Sequence, residues 1–204
     1  MVDWSIAACR AAPSVRSIVV ACPPGHVHDL AGGVAVVDGG ATRAESVSNA
    51  LSAVGTELVA IHDAARPLVT PELIEDVVAA LVADPDAAGA IAAAPIADTI
   101  KRSATQTALT TVEGANAVRV VERTIDRRCL WAAQTPQVFR VAALRGALAA
   151  DPERLAAATD EAMMVEAASG KVLIHPSPAE NLKVTTPLDL KLAELLLAER
   201  SAAV

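Results

Sequence analysis

The sequence contains no tyrosine, and aromatic residues make up only 1% of its 204 positions. Large rings cannot fill such an interior, so alanine and valine must, which requires closely approaching helices and strands. A nicotinamide-dependent oxidoreductase built on a Ser-Tyr-x-x-x-Lys pattern is excluded for want of the tyrosine, and no G-x-G-x-x-G opens a sheet. Cysteine is scarce as well. Cys9, Cys22 and Cys129 are odd in number and form no C-x-x-C, so neither a disulfide framework nor a zinc site is expected. Positive charge is in deficit: 17 Lys and Arg stand against 24 Asp and Glu, a net charge of -7. That excludes a nucleic-acid coat protein, which needs a basic face, but a few local cations can still hold a small anion. No apolar run approaches the roughly 18 residues that span a bilayer. The opening Met1-Val-Asp-Trp-Ser-Ile-Ala-Ala-Cys-Arg10 carries its acid before its apolar stretch, the reverse of a signal peptide. A cytosolic protein with neither membrane nor nucleic-acid partner is the expectation.

A hydrophobic content of 53% with 20% charged residues is ample for one continuous core, so residues 1–204 are expected to form a single domain. Short β-branched runs recur at Ser17–Cys22, Val34–Val37, Leu58–His62, Gly89–Ala94 and Lys171–His175, mostly alternating with alanine-rich helical stretches. Buried parallel strands read this way, and the alternation predicts an α/β fold with a doubly wound, mostly parallel sheet. Helix starts are marked by the capping box Thr42-Arg-Ala-Glu45 and by Thr70-Pro71 and Thr186-Pro187. Residues 101–128 break the rhythm with Thr, Ser, Gln, Gly and Asn, and are read as an extended arm in which Ala117–Val121 is strand-like. A doubly wound nucleotide-binding sheet normally begins with a strand and a Gly-rich phosphate turn, whereas this chain begins with helix-like Val2–Ala12. The first βα unit is expected to be missing.

Chemistry-bearing residues fall where strands end. Val37-Asp-Gly-Gly40-Ala41-Thr-Arg-Ala-Glu-Ser46 leaves a strand, turns through glycines and enters a capped helix. Such a turn presents backbone N–H groups and the Ser46 hydroxyl at the sheet edge; its plainer reading is strand-to-helix punctuation. His62-Asp63-Ala64-Ala-Arg66-Pro67 follows another strand. Asp63 there suits ligand hydroxyls or a metal-phosphate complex, and Arg66 suits a phosphate or the carboxylate itself; the plainer reading is a structural Asp-Arg pair. His62 is expected to be a strand-end residue satisfied by hydrogen bonds. Lys183, between apolar Leu182 and Val184, needs a partner. Thr159 and Thr186 double as ordinary helix caps, Asp160 and Glu161 as complements to a helix dipole, and Trp131 and Phe139 as core.

These segments, with Ala97-Asp-Thr99-Ile-Lys101, Leu130-Trp-Ala-Ala-Gln134-Thr135-Pro136-Gln137, Thr159-Asp-Glu161 and Asn181-Leu-Lys183-Val-Thr-Thr-Pro-Leu-Asp189, stand in one order. In that order the chain resembles the 2-C-methyl-D-erythritol 4-phosphate cytidylyltransferase family from about Met1 almost to the C-terminus. The resemblance implies cytidylyl transfer from CTP to a polyol phosphate with release of pyrophosphate, in isoprenoid precursor synthesis. It also implies magnesium, held mainly through the CTP phosphates rather than by side chains. Gly40, Ala41, Ser46 and Ala64 match nucleotide-binding positions. Asp63 and Lys183 match catalytic ones. Asp63, Arg66, Thr99, Arg127, Thr135, Thr159 and Lys183 match substrate contacts, with Thr99 and Arg127 coming from the neighbouring subunit of a homodimer. The family's opening strand and Gly-rich loop, which carry an arginine and a lysine that grip the triphosphate, have no match, so impaired activity is expected of the chain as it stands. A ribitol 5-phosphate-type cytidylyltransferase shares most of these motifs, and a non-catalytic dimer of the same fold is the alternative from another class.

Overall fold

Local capping chemistry places the helices. In the computed structural model, which describes residues 1–23, 25, 33–104, 119–149 and 158–202, Thr42 Oγ1 accepts the Glu45 amide at 3.1 Å while Glu45 Oε2 accepts the Thr42 amide at 3.3 Å. This reciprocal pair starts helix α2, Arg43–Ser52, as the sequence predicts. Helix α3, Pro71–Ala83, starts on Thr70, whose hydroxyl accepts the Leu73 amide at 3.2 Å, with proline in the first turn. Thr186 caps the C-terminal helix α6, Pro187–Ala202: its hydroxyl accepts the Asp189 amide at 3.2 Å and Asp189 Oδ2 accepts the Thr186 amide at 2.8 Å. The amides and hydroxyls of Thr185 and Thr186 around that carboxylate hold the Asp189 pKa down to about 2. Helix α1 spans Val2–Ala11, α4 Val141–Ala149 and α5 Glu161–Ala167. Among the described residues, no helix is long and apolar enough to cross a membrane.

The β-branched runs form the strands β1 Val19–Cys22, β2 Ala35–Asp38, β3 Leu58–Ile61, β4 Ala87–Pro95 and β8 Lys171–Pro176. The long strand β7 Trp131–Arg140 is not among those expected. Strands β1 and β2 pair in parallel, and a second sheet runs in the order β3-β7-β4-β8. There β4 and β8 are parallel but β3 and β7 are antiparallel, so the sheet is mixed. The chain divides into two compact units, residues 1–93 with 133–204, and residues 94–132.

In the first unit, period-two alternation sorts side chains onto opposite faces of the sheet. Ala90, Ala92 and Val138 join Ala8, Val69, Leu73, Ile74, Val77 and Leu81 in one cluster against α1 and α3. Ile91 and Phe139 join Leu51, Val141, Leu144, Met164 and Val165 in the other, against α2, α4 and α5. Helices thus cover both faces, the doubly wound layering that the alternation implied. Phe139, fully buried, supplies on the order of 2–3 kcal/mol by leaving water. It needs a bare neighbour: a Cβ on Gly89 would stand 2.4 Å from the Phe139 ring.

The second unit holds an antiparallel pair, β5 Lys101–Ser103 and β6 Val121–Thr124, followed by a short 3-10 turn, Arg127–Cys129. Both strands are exposed along their length. Polar contacts tie them, Lys101 Nζ to Thr124 Oγ1 at 2.7 Å and Arg102 to Glu122 at 3.3 Å. Of the strand-like run expected at Ala117–Val121, the first two residues lie outside the described residues, Arg119 and Val120 precede the strand, and only Val121 belongs to β6, which it opens. Trp131 corrects the sequence reading: it is 37% exposed rather than core, because it opens β7 ahead of the buried stretch that begins at Gln134.

Candidate active site

The turn after β2 folds back on the helix it introduces. Gly40 donates its amide to Ser46 Oγ at 3.0 Å, Ala41 donates to Glu45 Oε2 at 2.7 Å, and Ser46 Oγ donates to the Thr42 carbonyl at 2.9 Å. Position 40 must be glycine, since a Cβ there would sit 2.2 Å from the Glu45 Cβ and 3.1 Å from its backbone carbon. The three nucleotide-binding candidates in this turn, Gly40, Ala41 and Ser46, are therefore one hydrogen-bonded unit.

Asp63 lies just past the end of β3, where its backbone amide donates to Thr135 Oγ1 on β7 at 3.0 Å. Its side chain is 14% exposed and is gripped by cations on both oxygens. Lys183 Nζ donates to Oδ2 at 2.8 Å, while Arg43 Nε and Nη2 approach Oδ1 at 3.2 and 3.1 Å. Burial pushes the Asp63 carboxyl up, but the Lys183 hydrogen bond and the Arg43 charge outweigh it and hold the group below the usual carboxylate range. Arg43 is itself committed. Its Nη1 donates to both oxygens of Glu161, each at 2.6 Å, and Glu161 is only 2% exposed. Burial lowers the Arg43 basicity, and the pairing with Glu161 and then Asp63 together more than reverses this.

His62 closes the same corner. Its Nε2 faces the Arg66 carbonyl at 3.1 Å and must carry the proton, so Nδ1 accepts from the Thr135 hydroxyl at 3.0 Å. Burial, the leading cause, holds His62 below its ordinary range. It is the hydrogen-bonded strand-end residue that the sequence suggested.

Arg66 differs from expectation. Asp63 is taken by Arg43 and Lys183, and the Arg66 side chain turns instead to the Asn181 carbonyl, at 2.7 Å from Nη1. Arg66 is buried, which lowers its basicity, and among the described residues its Nε meets no hydrogen-bond partner. Asn181 in turn donates through Nδ2 to Gln134 Oε1 at 3.0 Å and to the Thr135 carbonyl at 2.9 Å, and Ser177 Oγ donates to Gln134 Oε1 at 2.8 Å. With the Val184 amide on the Ala65 carbonyl at 2.8 Å, this network brings Lys183 to Asp63 across the end of the sheet.

Arg43, Ser46, Asp63, Ala64 and Lys183 share the wall of one cavity of about 770 Å³, whose remaining lining is largely apolar and comes from α1, β1, α2, β3 and α3 and the segments beside them. Thr135 joins them through the Asp63 amide. Thr159 lies at the start of α5, two positions before Glu161, and its described contact is with Met163 Sδ at 4.0 Å. The cap of α5 is Asp160, which accepts the Met163 amide, so Thr159 is not that helix's cap. Thr99 and Arg127 lie in the second unit, Thr99 ahead of β5 and Arg127 opening the 3-10 turn.

Sequence reasoning missed Arg43, Glu161 and Asn181. Glu161 does more than complement a helix dipole; it is a buried counter-ion. The signal at hand was Arg43 itself, a cation at the first position of a capped helix inside a segment already singled out. Among the described residues, no cluster of three His, Cys, Asp or Glu is placed to cage a metal.

Comparison with known proteins gives the same assignment along nearly the whole chain. The profile of the family described as "IspD: 2-C-methyl-D-erythritol 4-phosphate cytidylyltransferase" matches residues 1–199. A bifunctional enzyme IspD/IspF of Anaeromyxobacter dehalogenans is 42% identical over 199 residues, covering 94% of this chain and 48% of that protein. The chain thus spans about half the length of such bifunctional relatives, the same 48% holding for one from Anaeromyxobacter sp. Fw109-5. The 2-C-methyl-D-erythritol 4-phosphate cytidylyltransferase of Rubrobacter xylanophilus is 40% identical over 205 residues, 96% of this chain and 82% of the relative. The crystal structure of the enzyme so named from Thermus thermophilus superposes with a TM-score of 0.80 at 32% identity, covering 96% of this chain and 88% of that one. The chain belongs to the 2-C-methyl-D-erythritol 4-phosphate cytidylyltransferase family.

Proposed function

We propose that this chain transfers the cytidylyl group of CTP to 2-C-methyl-D-erythritol 4-phosphate. The observation that carries the reading is the Asp63 carboxylate, held between Lys183 and Arg43 on a cavity wall shared with Ser46 and Ala64. In the reaction an oxygen of the polyol phosphate attacks the α-phosphorus of CTP, the bond to the β-phosphate bridge breaks, and pyrophosphate leaves. Such displacements gain their rate from positioning and charge neutralisation. The Gly40-Ala41-Ser46 turn would read the base and Ala64 lie beside the nucleoside. Asp63, fixed by Thr135, would accept the polyol hydroxyls, and Lys183 would turn to the phosphates. By the family resemblance Arg66, Thr135 and Thr159 would complete the substrate contacts, which asks Arg66 to turn from the Asn181 carbonyl and Thr135 from His62.

A magnesium ion would be borne mainly by the CTP phosphates, because both oxygens of Asp63, the carboxylate on the cavity wall, are already taken by Lys183 and Arg43. Bound there, the ion neutralises phosphate charge. Arg127 and Thr99 would reach the substrate of a neighbouring subunit in a cytoplasmic homodimer, a reading supported by a unit whose strands are exposed along their length and which leaves Val120 and Val121 open to solvent. Phosphorus NMR on the chain with CTP, magnesium and methylerythritol phosphate, with ribitol 5-phosphate in a parallel tube, tests the assignment. A new diphosphate signal with the first acceptor is expected. Signal only with ribitol 5-phosphate would move the chain to that substrate, and none with either would make it a non-catalytic member of the fold.

A further inference from the structure

Asp63 has two cationic partners, and they are held in different ways. Lys183 is 42% exposed, and its described contact is the single ammonium-to-Oδ2 bond of 2.8 Å. An ammonium on a four-carbon stem exchanges partners readily. Arg43 instead bridges. Nη1 spans both oxygens of Glu161 at 2.6 Å, and Nε and Nη2 reach Asp63 Oδ1 from the same rigid plane. Glu161 is buried, so an arginine that left it would strand a carboxylate out of water, a strongly unfavourable state. One cation can follow a ligand; the other is anchored.

We propose that Arg43 is a positioning residue of this site: fixed by Glu161, it keeps the Asp63 carboxylate charged and in place when Lys183 leaves that carboxylate for a substrate phosphate. The inference rests on the cytidylyl-transfer reading, in which Lys183 meets phosphate and Asp63 meets the polyol hydroxyls. The balance of charge supports it. Before a ligand binds, Arg43 and Lys183 balance Asp63 and Glu161. When a phosphate draws Lys183 away, Arg43 alone faces both carboxylates, and its forked donor set already contacts each of them. The role cannot be filled by lysine, whose point charge cannot span Glu161 and Asp63 together.

Steady-state kinetics with Arg43→Ala, Asp63→Asn and the double variant, measured separately in each substrate, test this. Arg43→Ala should raise KM for the polyol phosphate on the order of tenfold while leaving KM for CTP within about twofold. In the Asp63→Asn background the same change should add less than about twofold, because its target is gone. Arg43→Lys should fold as the parent does by circular dichroism yet show the Arg43→Ala defect, and it stands in for that variant if Arg43→Ala does not fold. Equal losses in both backgrounds, or a full rescue by lysine, would overturn the proposal. A measurement without turnover separates it from the functional reading: carbon-13 NMR of the Asp63 carboxyl should show its titration moving up in pH in Arg43→Lys. If that shift appears and the parent transfers no cytidylyl group, the activity assignment fails and the positioning role stands. If Asp63 titrates unchanged, the positioning role fails whatever the activity.

Discussion

Asn181→Ala is the perturbation that asks most directly whether the buried polar network holds the site together. The side chain is 1% exposed, and its Nδ2 donates to Gln134 Oε1 at 3.0 Å and to the Thr135 carbonyl at 2.9 Å. The 3.5 Å approach to Ser177 is too long to weigh. Two neutral hydrogen bonds of good length contribute together about 2 kcal/mol, and the cavity left by the amide adds about 1. For a chain of this size, a loss of about 3 kcal/mol lowers the melting temperature by roughly 6–12 °C. Ser177→Ala is the internal control. It deletes one donor to Gln134 Oε1 but leaves the Asn181 donor in place, so it should cost only about 1 kcal/mol. Thermal unfolding followed by circular dichroism, with urea midpoints as a check, measures both. The backbone carbonyl of Asn181 still faces Arg66 in the variant, so what changes is the side-chain tether between β7 and the segment carrying Lys183. A melting temperature within about 2 °C of the parent, or equal losses in the two variants, would refute the claim that Asn181 is that tether.

Gly40→Ala should destabilise the chain by roughly 1–3 kcal/mol, because its Cβ would meet Glu45 at 2.2 Å and force apart the turn that Ser46 closes; an unchanged urea midpoint would argue against the turn geometry. The pH dependence of stability should have two separate acid steps. His62 has its folded value depressed by burial, so the unfolded chain takes up a proton first and stability falls as pH drops below about 6.5. Asp63, depressed by Lys183 and Arg43 against the opposing effect of burial, contributes stability that is present above about pH 4 and lost as pH falls further. Urea unfolding across that range should show the upper step missing in His62→Gln and the lower one weakened in Asp63→Asn.

Much of the fold was legible because it is written in local rules. Five β-branched runs map onto β1, β2, β3, β4 and β8 with ends shifted by a residue or two, and the hydroxyls of Thr42, Thr70 and Thr186 cap helices where the sequence put them. Strand β7 escaped because its centre, Gln134-Thr135-Pro136-Gln137, looks like a polar loop. Those polar groups are buried and find partners far along the chain: Gln134 Oε1 accepts from Ser177 and Asn181, and Gln137 Nε2 donates to Asp160 at 2.9 Å, while Gln137 Oε1 meets no partner among the described residues. A polar strand of this kind is stable only once its partners have arrived, so no local pattern announces it. Trp131 was misplaced for the complementary reason, since hydrophobicity alone says nothing about which end of a strand is covered.

The site divides along the same line. Asp63, Ser46 and Lys183 could be named because each follows or interrupts a recognisable element, yet what makes Asp63 chemically distinct is its company, which arrives from 20, 72 and 120 positions away in Arg43, Thr135 and Lys183. An arginine at the first position of a capped helix opposes that helix's dipole and gains nothing from it. Its presence at position 43 therefore demands a reason outside α2, and the structure supplies one in two acids, one of them buried in α5. A cation set against its local preference is thus a legible sign of a distant partner, even when the sequence cannot say which acid that partner is. By the same logic, removing the acid alone should be worse than removing the charge pair. Glu161→Ala alone would leave Arg43 facing a single carboxylate that Lys183 also claims, whereas Glu161→Ala with Arg43→Ala removes both partners. If the double variant unfolded at a lower urea concentration than Glu161→Ala, the pair would be acting as independent packing groups and not as one electrostatic unit.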